Sequence, residues 1–136
     1  MRIALPIWNE KLSPVLDTAS KLLIVDVEDR SEAGRFEIYL DGLDLSGRCL
    51  RIQGMNVNIL ICGAISHPFA RMLMASGIDV IPDISGPAEE ILSAYLQGNL
   101  FNSRFLMPGS IRRVYNKRNN NISRLMDIAN KAKKIR

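Results

Sequence analysis

Asn58-Ile59-Leu60-Ile61-Cys62-Gly63-Ala64-Ile65-Ser66-His67-Pro68-Phe69 decides how the whole chain is read. Val57 to Ile61 is almost wholly apolar, the pattern of a central strand covered on both faces. The glycine and the small residues after Cys62 end that strand in a tight loop. Proline then opens a helix, because its fixed backbone angle suits a first turn that lacks N–H partners anyway.

The same alternation continues downstream. Pro68 to Ser76 has Phe69, Met72 and Leu73 at helical spacing and a Gly77 stop. Ile78 to Pro82 is a further strand, and Pro87 to Gln97 a helix closed by Gly98. Pro87 suits the first helical position, and Glu89 and Glu90 suit the positive end of the helix dipole. Upstream the period is two. Arg2 to Pro6 reads as a strand, Trp8 to Pro14 as a loop, and Leu22 to Glu28 as a second strand. Asp29 to Arg35 reads as a turn, and Phe36 to Leu40 as a third strand. These three lie too close together for helical crossovers, so they form an antiparallel meander. From Asp44, an N-cap, Leu45, Cys49, Leu50 and Ile52 mark a helix up to Gly54. The predicted order is β-β-β-α-β-α-β-α, an α/β layer fold with a mixed five-stranded sheet and right-handed β-α-β units.

The chain has 136 residues, of which 47% are hydrophobic and 24% charged, enough for one domain with an extension. No apolar run approaches the roughly 18 residues that cross a bilayer, and no signal-peptide pattern opens the sequence, so a cytoplasmic, non-membrane protein is expected. Cys49 and Cys62 stand in apolar surroundings without a repeated spacing, which suits a reducing compartment. The net charge of +4 hides a division. Residues 1–103 carry 8 Lys/Arg against 13 Asp/Glu, whereas residues 104–136 carry 10 against Asp127 alone. The basic character therefore belongs to the extension and not to the domain. In that extension Met107-Pro108-Gly109 is a turn and Asn119-Asn120-Asn121 a breaker. Ile122, Leu125, Met126, Ala129, Ala132 and Ile135 mark one face of a basic amphipathic helix. Such a helix docks on its own domain or makes a homodimer; the other use is to bind nucleic acid by its charge.

Ligands of open α/β sheets collect outside the carboxyl ends of the parallel strands. Here that rim comprises Trp8-Asn9, Cys62 to Pro68 and Asp83 to Pro87. Two of these loops enter helices, near Ser66-His67 and Ser85-Gly86, where unpaired N–H groups favour an anion. His67 is the sole histidine; it reads either as a metal ligand or as a polar helix-cap residue. Cys62 and Cys49 read first as small core residues. One histidine and two scattered cysteines make no closed zinc or iron–sulfur site, so a bound metal must bring most of its own coordination. There is no G-x-S-x-G, no Walker loop, no C-x-x-C and no second histidine, so no enzyme is predicted. Asp26, Asp41 and Asp83 are candidates for a magnesium site, but they read better as solvated carboxylates.

Several stretches together resemble one family. They are Arg2 to Pro6, Leu12 to Ala19, Leu22 to Glu28, Ile59 to Ile65, Gly77 to Ile81 and Glu90 to Gly98. Over about residues 1–102 the sequence is similar to the dinitrogenase iron–molybdenum cofactor biosynthesis family, the NifX/NafY type also found at the C-terminus of NifB. The resemblance implies an RNase H-like three-layer fold for a cofactor-binding domain at residues 1–103, followed by the basic tail at 104–136. It also implies a non-catalytic carrier of a metal–sulfur cluster, of the iron–molybdenum type or a related molybdenum, iron or copper sulfide, not needed for folding. Donor and acceptor proteins would supply and receive that cargo. On this reading His67 and Cys62 are metal donors, while Trp8, Asn9, Gly63, Ser66, Ser85 and Gly86 line the cargo site. Leu16-Asp17 stands where the family usually has Phe-Gly, and Ala64 and Ser66-His67 stand where it has glycines. Phe105 to Gly109 is similar to an extension in some relatives that continues with a cysteine; Ser110 follows here.

Overall fold

The computed structural model describes residues 1–100, 103–107, 113–115 and 122–124. The first hairpin is β1 (Arg2–Trp8) with β2 (Lys11–Leu12); β3 (Lys21–Glu28) and β4 (Ser31–Tyr39) form the second. Then come α1 (Leu45–Gly54), β5 (Ile59–Ile61), α2 (His67–Ala75), β6 (Asp79–Ile81) and α3 (Ala88–Leu96). A 3-10 turn (Ser103–Phe105) and the short strands β7 (Arg113–Tyr115) and β8 (Ile122–Arg124) complete the described part. The sheet order is β4-β3-β1-β5-β6-β7-β8, with β2 paired to β1. β5 runs parallel to both β1 and β6, while the β1–β3 and β3–β4 pairs are antiparallel. The expected five-stranded mixed sheet is therefore present as β4-β3-β1-β5-β6.

Alternation along the strands sorts the apolar residues onto two faces. Ala4, Leu22, Ile24, Leu60 and Val80 pack with Cys49 and Ile52 of α1 and Phe69 and Leu73 of α2. Ile3, Leu5, Leu23, Val25, Ile61 and Ile81 pack with Ile91 and Leu92 of α3. This three-layer arrangement explains why Leu22 to Val25 and Ile59 to Ile61 read as continuous apolar runs: both faces are dry. Each buried leucine or isoleucine contributes about 1.5–3 kcal/mol relative to exposure. Arg48 is also buried, on the first face. It donates to the carbonyls of Leu43 and Ala19 (3.0 and 2.6 Å) and so fastens the loops on either side of β3 and β4 to α1.

Several boundaries differ from the sequence reading. β1 continues through Pro6 to Trp8. The Pro6 carbonyl accepts from Ser13 N–H (2.8 Å), so its missing donor faces the loop side and costs no bond to β3. The expected loop after Trp8 contains the two-residue strand β2. The expected turn at Asp29 to Arg35 contracts to Asp29-Arg30, both at positive φ (50° and 63°), and β4 starts at Ser31. Asn9-Glu10 repeats this pattern at 50° and 65°. Both are two-residue hairpin turns made without glycine, so the usual turn signal is missing. α2 starts at His67 with Ser66 as its cap, and Pro87 is the cap of α3, not its first helical residue. Ile122–Arg124 pairs with β7 as a strand, not a helix, because ladder pairing overrides helical spacing there. The rest of that predicted helix, Leu125 to Ile135, lies outside the described residues, as do Pro108-Gly109 and Asn119 to Asn121. Among the described residues no helix is long and apolar enough to cross a membrane.

Arg35 on β4 ties the edge strand to α3. It donates to Glu32 (2.5 and 2.6 Å) and to Glu89 in the first turn of α3 (2.7 and 2.8 Å). Hydrogen bonds from Arg35, ahead of its charge, hold both carboxyls below the usual glutamate range. A depressed folded-state pKa stabilises the fold fully above the unfolded value of about 4.3, and that contribution drains as pH falls through the folded value. Arg35→Ala is therefore expected to lower stability at pH 7 by at most about 1 kcal/mol, since these side chains are substantially exposed. In urea titrations at pH 7 and pH 3 the gap between variant and wild type should narrow at the acid end.

Candidate functional site

Three loops meet at the carboxyl ends of β1, β5 and β6, held by backbone bonds that prolong the ladder beyond the strands. Ala64 N–H donates to Pro14 O (2.8 Å) and Leu16 N–H to Ala64 O (2.9 Å). On the other side Asp83 N–H donates to Gly63 O and Ile84 N–H to Cys62 O, both 3.0 Å. Gly63 sits between these two sets. A Cβ built there would lie 2.5 Å from Pro14 O and 2.9 Å from Ser13 O, both backbone atoms. Gly63 is thus explained by close backbone approach, whatever the site binds.

The first loop carries Ser66 and His67. Ser66 Oγ accepts from Phe69 N–H (3.3 Å), and its carbonyl accepts from Ala70 N–H (3.0 Å). Pro68 has no N–H to offer. Ser66 N–H donates to Asp17 Oδ1 (2.9 Å), so a carboxylate of the protein itself occupies the amide expected to face a cargo anion. An anion at this amide would have to displace that carboxylate. His67 is exposed on the first turn of α2. The Asp17 carboxylate beside it meets the need of the helix end for negative charge.

Cys62 lies beneath the loop, fully buried and within the core shared with α2. Burial pushes its thiol well above the ordinary range, and the charges of Asp83 and Asp17 push it further. It is a protonated core residue here and not a thiolate at the surface, as its apolar strand context first indicated. Cys49 is likewise buried, 3.5 Å from Ser76 Oγ. Asp26, an alternative carboxylate, pairs with Arg2 at 2.7 Å. Among the described residues no three His, Cys, Asp or Glu side chains come together as a ligand set.

The second loop is covered. Ser85 N–H donates to Phe105 O (2.8 Å), Met107 N–H to Asp83 O (3.0 Å), and Ile84 bridges Leu106. The Phe105 ring is only 5% exposed and lies 3.6 Å from the Cβ position of Gly86. Gly86, at φ 132°, also gives its carbonyl to Leu12 N–H (3.0 Å). The first amide of α3, that of Ala88, donates to Glu10 O (3.0 Å). The β1–β2 hairpin therefore seats itself on the start of α3. This brings Glu10 and Lys11 to the second loop, puts Asn9 in the same groove as Pro87 and leaves Trp8 on the hairpin 63% exposed. Beside it a groove of ≈ 820 Å³ includes Ile7, Leu23 and Phe36. Of its charges Lys21 pairs with Glu37 and Arg35 with Glu89, and Glu10 adds a further carboxylate. All three of Asp17, Asp83 and Phe105 lie in stretches the sequence singles out, but the bonds they make here, Asp17 to Ser66 N–H and Asp83 and Phe105 across the second loop, are not foreseen from it.

Residues 1–98 match the model of the family described as dinitrogenase iron-molybdenum cofactor. The chain is 31% identical over 107 residues to an uncharacterized protein of Methanocaldococcus jannaschii, covering 74% of this chain and 89% of the relative. Among solved structures it is similar to the crystal structure of PH0822, with TM-score 0.71 and 17% identity over 76% of this chain and 95% of that one. A second M. jannaschii protein, proposed to be a dinitrogenase, superposes with TM-score 0.63 and 23% identity, over 73% and 90% of the two chains. A Thermotoga protein proposed to be NifB gives 0.58 and 19%, over 72% and 89%.

Two outcomes follow from the geometry. Gly63→Ala forces backbone apart and should cost about 2–4 kcal/mol in urea denaturation, at or above the usual overpacking range. Cys62 should resist a thiol reagent in the native protein at pH 8 and react only on unfolding, as followed by mass spectrometry.

Proposed function

The chain belongs to the dinitrogenase iron–molybdenum cofactor family, and from that premise we propose that it is a non-catalytic carrier of an anionic, pre-assembled metal–sulfur cluster. The supporting observation is the poverty of the rim in protein donors. One exposed imidazole, His67, stands at the first turn of α2, and no three-residue ligand set accompanies it among the described residues. A bare cation would be weakly held there, whereas a sulfide cluster brings its own ligands and needs one or two anchors. His67 supplies a nitrogen donor. Trp8 and Asn9 border the cargo, Gly63 holds the loops in register, and Ser85 and Gly86 form the far side. Cys62 serves from beneath as packing and not as a thiolate. Such a carrier would work in the cytoplasm between a protein that delivers the cluster and one that receives it.

Asp17 adds a constraint. An anionic cargo approaching α2 competes with a carboxylate already seated on Ser66 N–H. Asp17→Asn keeps an acceptor and removes the charge, so it should retain cluster about three- to tenfold better. The governing experiment is anaerobic reconstitution of the full chain with iron, sulfide and molybdate or copper. Wild type should gain visible charge-transfer absorbance, and His67→Ala should lose most of it. Equal absorbance in wild type and His67→Ala would remove the ligand role; a colourless wild type would remove the carrier reading.

A further inference from the structure

The segment after the family-matched domain has a place in the rim. The match ends at residue 98, yet Phe105 is part of the core under α3, and Arg104 to Met107 lie across the second loop. We infer that Arg104–Met107 is a detachable strap that shuts the α3 side of the site and must lift for an anionic cargo to reach Ser85 and Gly86. This inference rests on the carrier reading for its cargo, but not for the detachment itself.

What the strap covers is specific. Ser85 N–H, the donor that the second loop would turn to a sulfide or other anion, is spent on Phe105 O at 2.8 Å. Asp83 O is spent on Met107 N–H at 3.0 Å. The Phe105 ring fills the space that glycine leaves open above residue 86, where Ile91 lies 3.8 Å from the same Cβ position and belongs to the same core cluster. Lifting the strap would free one backbone donor and one acceptor, and uncover an apolar seat backed by Ile84 and Ile91. Both of those residues are almost wholly buried in the closed form.

The strap is held by the buried Phe105 ring, two backbone bonds and the Ile84–Leu106 bridge, with Arg104 at its edge. Beyond the ring and the two backbone bonds, Arg104 stacks on Phe105 (4.6 Å to the ring centroid) and pairs with Glu90. The Arg104–Glu90 pair is more than half exposed on both sides, so solvent and salt weaken it. Of Arg104–Met107 only Phe105 is buried, against whole strands in the sheet beneath, and a segment anchored by fewer buried side chains opens before the domain unfolds. The bonds beneath are of another kind: Cys62 N–H to Ile81 O (3.0 Å) lies inside the sheet.

Hydrogen exchange of the full chain tests detachment without any cargo. Ser85 and Met107 amides should exchange at least about tenfold faster than the Cys62 amide, and Phe105→Ala should speed Ser85 by about tenfold or more while leaving Cys62 unchanged. Exchange of Ser85 in step with Cys62 would show a fixed element and overturn the inference. Gating is tested with Ile84→Cys/Leu106→Cys, placed on a cross-strand bridge. Oxidised, it should take up iron–molybdenum sulfide at least about tenfold more slowly than its own reduced form, as expected when the competent state is scarce. Equal uptake by the two forms would overturn gating. Should no form, Phe105→Ala included, take up any cluster, the carrier reading and the gating role fall together, while the exchange result still decides detachment.

Discussion

The close passage of Ser13-Pro14 over Gly63 is the contact on which the rim depends. With no Cβ between them, the β2–β3 loop approaches near enough for Ala64 N–H to donate to Pro14 O and Ala64 O to accept from Leu16 N–H, and the carbonyls of Gly63 and Cys62 serve Asp83 and Ile84 on the other side. Three loops thereby become an extension of the sheet. Their shape is set by these backbone bonds, to which the Ser66 hydroxyl adds the cap of α2. Asp17 is delivered to the start of α2 by the same loop, anchored at its far end where Ala19 O accepts from Arg48.

The electrostatics of this arrangement run against the simplest expectation for a helix-lined rim. Helix N-termini attract anions because their amides lack partners. Here the partners are internal: Asp17 for Ser66, the Ser66 hydroxyl for Phe69 and the Glu10 carbonyl for Ala88. Glu89 and Glu90 add charge in the first turn of α3. An anionic guest must therefore exchange with groups of the protein, which makes affinity a difference between two satisfied states.

The parts of the fold that the sequence disclosed are those governed by local period. The apolar run before Cys62, the helical spacing of Phe69, Met72 and Leu73, and the Asp44 cap, whose side chain accepts from Gly47 N–H at 2.8 Å, all have neighbours in sequence as their cause. What stayed hidden has distant causes. The turns at Asn9-Glu10 and Asp29-Arg30 carry no glycine, and their positive φ is imposed by the pairing of the strands they join. β2 is two residues long and exists because Ile7 and Trp8 face it. Pro87 reads as a first helical residue until the hairpin takes the amide of Ala88. Of the site, the loops and His67 were legible from topology, since ligands gather where parallel strands end. The occupation of Ser66 N–H and the burial of Phe105 were not, because neither a carboxylate forty-nine positions away nor a ring over a distant glycine leaves a local trace.

A carrier differs from an enzyme or a storage site in that it must let go. A closed ligand set around a cluster would hold it too long to pass on, since residence time grows with every donor that must be broken. One exposed imidazole, a competing carboxylate at the helix end and a lightly fastened strap give the opposite balance. On the proposed carrier reading each of the last two would return to its own partner when the guest departs, so that release would be assisted by bonds the protein re-forms. The internal satisfaction of the rim, which weakens it as an anion trap, is on this account what makes handing over a cargo thermodynamically accessible.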